Sequence, residues 1–247
     1  MKKITKILSL LLVLALSVSL LSACGQKKEE PQPAEEPQPS EEPVGGVGAV
    51  AGGWAVDAEF TGAQIPEEAG DALTKACEGL DGAAYEPVAY LGSQVVSGVN
   101  YALLCKVTPV VPDAQAHLCV VKVYKDLNGG AEILSAEDVD ASKYNQGTSL
   151  EFPETGLAGG FTFAEASGSA LNEAEQAAFD KALEGLDGVG YAPLACLGHQ
   201  VVAGTNYAIL CKATRVSAEP AEALAVLIIY EDLEGGASLT SVSGFEF

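Results

Sequence analysis

Gln94-Val95-Val96-Ser97-Gly98-Val99-Asn100-Tyr101 returns 106 residues later as Gln200-Val201-Val202-Ala203-Gly204-Thr205-Asn206-Tyr207. In each copy a short apolar run stops at a glycine and restarts as an aromatic-led strand. That pattern predicts a hairpin tip, because glycine reaches backbone angles that tight turns need and other residues avoid. The copying extends well beyond the tip. Between residues 73–108 and 179–214, 23 of 36 aligned positions are identical without a gap. Further on, Tyr124-Lys125-Asp126-Leu127 returns as Tyr230-Glu231-Asp232-Leu233. In a chain of 247 residues this predicts two tandem domains, each long enough for one modest core.

Upstream of each tip the apolar residues change period. Leu73, Ala76, Cys77 and Leu80, and then Phe179, Ala182, Leu183 and Leu186, fall at i, i+3, i+4 and i+7, the spacing of one buried helix face. Asn172 with Glu175 resembles a capping box, and Pro66 suits a first helical turn. Asp81-Gly82 and Asp187-Gly188 are expected to end the two helices. Downstream the period is two. Tyr101, Leu103, Cys105 and Val107 share one strand face, Leu118 to Tyr124 forms the next strand, and Asp126 to Gly130 forms a second tip before a last strand from Ala131 to Val139. One helix followed by an antiparallel meander predicts the α+β class, a helix packed on a curved sheet of four to five strands in each domain.

The N-terminus carries Lys2, Lys3 and Lys6, an apolar run from Ile7 to Leu21, and Leu21-Ser22-Ala23-Cys24. Small residues before a cysteine predict a bacterial lipoprotein leader, with Cys24 the lipidated first residue of the mature chain on the extracytoplasmic face of the cell membrane. A plain signal peptide or a membrane anchor is the alternative, but the run is short for a span. Residues 25–47 predict a disordered stalk; its Gly25 to Val44 part is Glu, Pro, Gln and Lys with almost nothing to bury, and about twenty residues at roughly 3 Å each reach some 60 Å. The organisation read from the sequence is therefore a leader over 1–24, a stalk over 25–47, a first domain over 48–140, a linker over 141–157 and a second domain over 158–247.

Loss of the leader lysines takes the formal charge from −21 to −24, with Arg215 the single arginine. So acidic a chain, without clustered Lys and Arg, excludes nucleic acid as a partner. Beyond Cys24 there remain Cys77, Cys105, Cys119, Cys196 and Cys211, an odd number with no C-x-x-C spacing, which argues against a disulfide framework or a zinc site. Free thiols are the expectation; Cys77 facing Cys105 and Cys119 paired with Cys105 stay open, although the second repeat has Leu183 and Ala225 in place of Cys77 and Cys119. His117 and His199 are the only histidines. A Cys211–His199 pair would be the one conceivable nucleophile and base, but the first repeat has Ser93 in place of His199, so no catalytic residue, cofactor or metal is expected and the chain is not read as an enzyme.

The Gln-Val-Val-Ala-Gly-Thr-Asn-Tyr run at Gln200 to Tyr207 resembles the signature of the cystatins, in particular the stefin branch, which has no disulfides. The other landmarks follow in the same order: a glycine pair before an aromatic at Gly52-Gly53-Trp54 and Gly159-Gly160-Phe161, an amphipathic helix, the Gln-x-Val-x-Gly hairpin, and a later Leu-x-Gly tip. The resemblance implies a tandem cystatin-like protein that reversibly inhibits papain-like cysteine proteases as a wedge. It assigns protease contact to the trunk residues Gly53 and Trp54 and Gly160 and Phe161. It assigns the first tip to Gln94, Val95, Val96, Ser97 and Gly98 and to Gln200, Val201, Val202, Ala203 and Gly204. The second tip is Leu127, Asn128 and Gly129, and Leu233, Glu234 and Gly235. The Pro-Trp of secreted cystatins is absent there, and Glu234 puts a charge where the family's tip is apolar. Two other readings stand beside this one: a surface binding or adhesion module that does not inhibit, and tip valines buried in a contact between the two domains or in a dimer.

Overall fold

Strands that are apolar on both faces build the core of this protein, and the helices are short. The computed structural model describes residues 52–57, 64–144, 150–152, 156–158, 171–218 and 221–247. The leader, Cys24, the stalk, and Gly160 and Phe161 lie outside the described residues.

The first repeat consists of α1 (Glu67–Ala76), β1 (Ala83–Val96), β2 (Gly98–Pro109), β3 (His117–Lys125) and β4 (Ala131–Asp138). A 3-10 turn at Ala141–Tyr144 and a small antiparallel ladder of β5 (Leu150–Phe152) with β6 (Gly156–Ala158) follow, in the stretch expected as linker and one residue beyond it. The second repeat consists of α2 (Glu173–Ala182), β7 (Val189–Val202), β8 (Gly204–Arg215), β9 (Glu222–Glu231) and β10 (Ala237–Gly244). Each repeat forms a four-stranded meander, β1-β2-β3-β4 and β7-β8-β9-β10, with neighbours antiparallel.

Both helices begin where the sequence places them. Asn172 accepts from the Glu175 backbone N–H at 2.9 Å, and the Glu175 carboxylate accepts from the Asn172 N–H at 2.8 Å, which completes a capping box. At α1 the Pro66 carbonyl accepts from the N–H groups of Ala69 and Gly70, each at 3.0 Å. The helices stop earlier than expected. α1 ends at Ala76 and α2 at Ala182, and each is followed by a turn through a glycine with φ near +80°, Gly79 and Gly185. That left-handed conformation stops a helix. Leu80 and Leu186 therefore lie past the helical turn and are about half exposed instead of continuing the buried face.

The expected fold class is overturned. The described residues are mostly sheet, with two ten-residue helices against eight strands of eight to fourteen residues, and they do not show a cystatin-like α+β fold of one helix packed across a curved sheet. Each helix lies mainly against the last two strands of its own repeat, α1 on β3 and β4 and α2 on β9 and β10. On that side Ala69, Ala72 and Leu73 pack with Leu103, Cys105, Val121 and Val123. Ala178 and Phe179 pack likewise with Ile209, Cys211, Leu227 and Ile229. The opposite faces are also buried, in one cluster shared by the two sheets: Val88, Leu91, Leu104 and Val120 meet Leu194, Leu197, Leu210, Val226 and Ile228, with Phe245 among them. The layers therefore run helix, sheet, sheet, helix. The physical reason is legible afterwards in Ala102-Leu103-Leu104-Cys105 and Leu224 to Ile229. An unbroken apolar strand needs cover on both faces, and the period-two reading followed only one of them.

All five cysteines among the described residues are free, which leaves neither of the two candidate pairings formed. Burial pushes the thiols of Cys105 and Cys119 up from 9.0 to about 12, with a hydrogen bond from Cys119 to Asp138 adding to the shift at Cys119. Burial, and after it the Glu231 carboxylate, pushes Tyr207 up from 10.0 to about 12. Cys105 and Tyr207 each hold their proton more tightly folded than unfolded, so that stabilisation is complete below 9.0 and is lost as pH rises from there towards 12. Urea unfolding midpoints are expected to fall steadily across that interval; a flat profile would contradict the buried, protonated thiols.

Candidate docking edge

The first tip is built by the cross-strand register. Val95 pairs with Val99 and Val96 with Gly98, which leaves Ser97 at the apex; Val201 with Thr205, Val202 with Gly204 and apical Ala203 repeat the arrangement. Gly98 has φ +126° and Gly204 φ +124°, so a side chain is strained at either position. Space forbids one as well. A Cβ on Gly98 would strike the Lys125 carbonyl oxygen and the Tyr124 ring, and one on Gly204 the Glu231 carbonyl oxygen and the Tyr230 ring.

Polar side chains brace the apex from beneath. The Tyr124 hydroxyl donates to the Ser97 carbonyl at 2.6 Å, and Tyr230 to that of Ala203 at 2.5 Å. Asn100 donates its amide to Gln94 Oε1 at 2.7 Å, and Asn206 to Gln200 Oε1 at 2.8 Å. The glutamine that opens the motif thus closes the base of the hairpin across a register pair. Above this brace the apolar side chains remain in solvent: Val95 is 63% and Val96 43% exposed, Val201 71% and Val202 44%. The reading in which these valines are buried between the repeats does not hold.

The second tip lies beside the first. Val99 pairs with Lys125, and Thr205 with Glu231, which puts the β3–β4 turn and the β9–β10 turn at the same sheet end as the first hairpins. Asp126 Oδ1 accepts from the backbone N–H of Asn128 at 2.7 Å and of Gly130 at 2.9 Å; Asp232 Oδ1 does the same for Glu234 at 2.9 Å and Gly236 at 2.7 Å. Such a turn is fixed by its own aspartate. It leaves Leu127 84% and Leu233 82% exposed. Gly129 and Gly235 have φ near +80°, as the turn requires, while Asn128 and Glu234 are exposed beside the leucines.

The N-terminal segment completes the edge in the first repeat. Ala55 and Ser93 form an isolated antiparallel bridge, with N–H to carbonyl distances of 2.8 and 3.0 Å. Gln94 Nε2 donates to the Gly52 carbonyl at 2.6 Å, so the Gly52-Gly53 pair lies next to the first tip. Segment, first tip and second tip therefore follow one another along a single sheet end. Trp54 departs from expectation. It is half-buried with its ring edge-to-face on Phe247, centroids 5.3 Å apart, and so belongs to the packing of the shared core.

Sequence reading missed the braces: Asn100 and Asn206, Tyr124 and Tyr230, Asp126 and Asp232. Their signal was available, since all three are identical between the repeats while the apex residue Ser97 or Ala203 is not. No protein-family model matches the chain, and no curated protein matches it in sequence.

Proposed function

We propose that this protein binds another protein through its braced, apolar hairpin tips, and that the partner is a papain-like cysteine protease whose cleft the tips block reversibly. The observation that carries the reading is the exposure of Val95, Val96 and Leu127 side by side, repeated at Val201, Val202 and Leu233. Tips held by hydrogen bonds before contact lose little freedom on docking. Burying three such side chains contributes roughly 5–9 kcal/mol gross at about 1.5–3 kcal/mol each, against an association cost of roughly 4–15 kcal/mol. The apolar side chains of both tips together are marginal on their own, so the docking surface has to be the whole edge, with backbone hydrogen bonds from the glycine-flanked turns. The partner class comes from the resemblance of the Gln-x-Val-x-Gly hairpin to that of the cystatins. No nucleophile is required, because the edge occupies the cleft without offering a peptide bond in attack geometry.

A second reading, surface binding without inhibition, is favoured by one observation: Trp54 is committed to Phe247 and does not project from the edge. The leader motif ending at Cys24 supports a lipid anchor on the extracytoplasmic face of the membrane; among the described residues no helix is long and apolar enough to cross one. With the full chain produced in a bacterial host, competitive inhibition of papain-type proteases is expected in the membrane fraction, and Cys24→Ala is expected to move it to the soluble fraction. Absence of inhibition across a panel of such proteases would sink the inhibitor reading.

A further inference from the structure

Three potential metal ligands meet at the end of the first sheet farthest from its second tip. His117 and Cys119 are two residues apart at the start of β3, so they share a face, and Cys119 is the register partner of Asp138 at the end of β4. Cys119 Sγ lies 3.2 Å and His117 Nε2 3.3 Å from the same oxygen, Asp138 Oδ1. The three donor atoms all fall within 4.8 Å of one another. We propose that His117, Cys119 and Asp138 form a three-ligand zinc site, open to water at the fourth position.

Donor chemistry and geometry select this ion. Imidazole nitrogen with thiolate sulfur is the ligand set of zinc and not of calcium or magnesium, which take oxygen. At tetrahedral angles, zinc bonds of roughly 2.0–2.3 Å place N and O roughly 3.3–3.5 Å apart and S and O roughly 3.5–3.7 Å apart, so the N–O separation of 3.3 Å fits as it stands and the S–O separation of 3.2 Å has to open by a few tenths of an ångström. His117 Nδ1 lies 3.5 Å from the Gln115 carbonyl oxygen, so an imidazole that gives Nε2 to zinc has an acceptor within reach for its remaining ring proton. β4 is an edge strand, so the site opens to solvent. The second repeat is an internal control. Its equivalent positions are Ala223, Ala225 and Gly244, with Ala225 and Gly244 in the same register, so all three donors are absent together where the backbone is the same. The absence of C-x-x-C spacing did not reveal this site, because its ligands come from two strands and are joined by register.

The test is a titration of the full chain, kept reduced by a non-thiol reductant, with Zn2+ in competition with a chromophoric chelator and with Co2+ as a coloured substitute. One equivalent of Zn2+ is expected to bind, and Co2+ is expected to give a thiolate charge-transfer absorption that Cys119→Ser removes. His117→Ala and Asp138→Asn are each expected to weaken Zn2+ binding at least tenfold. If Cys119→Ser fails to fold, His117→Ala decides, since His117 is only half-buried and circular dichroism reports whether the fold survives. No stoichiometric Zn2+ uptake, a charge-transfer band that persists in Cys119→Ser, or unchanged affinity in folded His117→Ala would each overturn the proposal. None of these outcomes depends on the docking edge at the other end of the sheet.

Discussion

Changing Val95, Val96, Val201 and Val202 together to aspartate is expected to weaken binding to a papain-type protease at least a hundredfold, about 2.7 kcal/mol, while the fold is retained. The valines are exposed, so folding gains little from them, and substitutions at such hairpin positions change stability by less than about 1 kcal/mol. In a complex the same side chains become buried. Each tip then loses the transfer energy of two valines, about 1.5–3 kcal/mol apiece, and places two carboxylates in a desolvated contact. Inhibition constants measured beside thermal unfolding separate the two effects. Equal inhibition by the variant and the parent chain would remove the tips from the interface, and a variant that does not fold would show that the valines stabilise the protein after all.

The second large effect concerns the shared core. Leu210→Ala is expected to lower stability by about 2–5 kcal/mol, the range for a large-to-small change at a fully buried site. Leu210 faces the layer between the sheets, where it belongs to one cluster with Val88, Leu104 and Val120 of the first repeat. The loss should therefore reach residues far away in sequence. Trp54, the only tryptophan, lies in the first repeat and packs on Phe247. Its fluorescence is expected to report an unfolding midpoint lowered together with that of the second repeat. A Trp54 transition unaffected by Leu210→Ala would mean that the two repeats unfold independently.

What was legible in the sequence follows from what is local. The first tips could be read because glycine, an apolar pair and an aromatic restart lie within eight residues and occur twice, and the capping box because it spans four residues. Strand order followed from hairpin connections. Three features were not legible in this way. The helix ends were misplaced because Leu80 and Leu186 keep the helical spacing while Gly79 and Gly185 turn the chain away before them. The fold class was wrong because the alternate faces of β2, β3, β8 and β9, carrying Ala102, Leu104, Val120, Leu210 and Val226, were left without a partner in the reading, and the partner is the other repeat. Trp54 was expected in solvent because its partner, Phe247, lies 193 positions away.

The central claim is that one sheet end in each repeat, carrying both tips, is the working surface. Hydrogen exchange of the full chain, free and mixed with papain whose catalytic cysteine has been carboxymethylated, tests it most directly. The account predicts slowed exchange confined to 94–99 with 126–130, to 200–205 with 232–236, or to both sets. Exchange unchanged at all of these segments, or slowed only at the opposite end around 117–119 and 138, would contradict it.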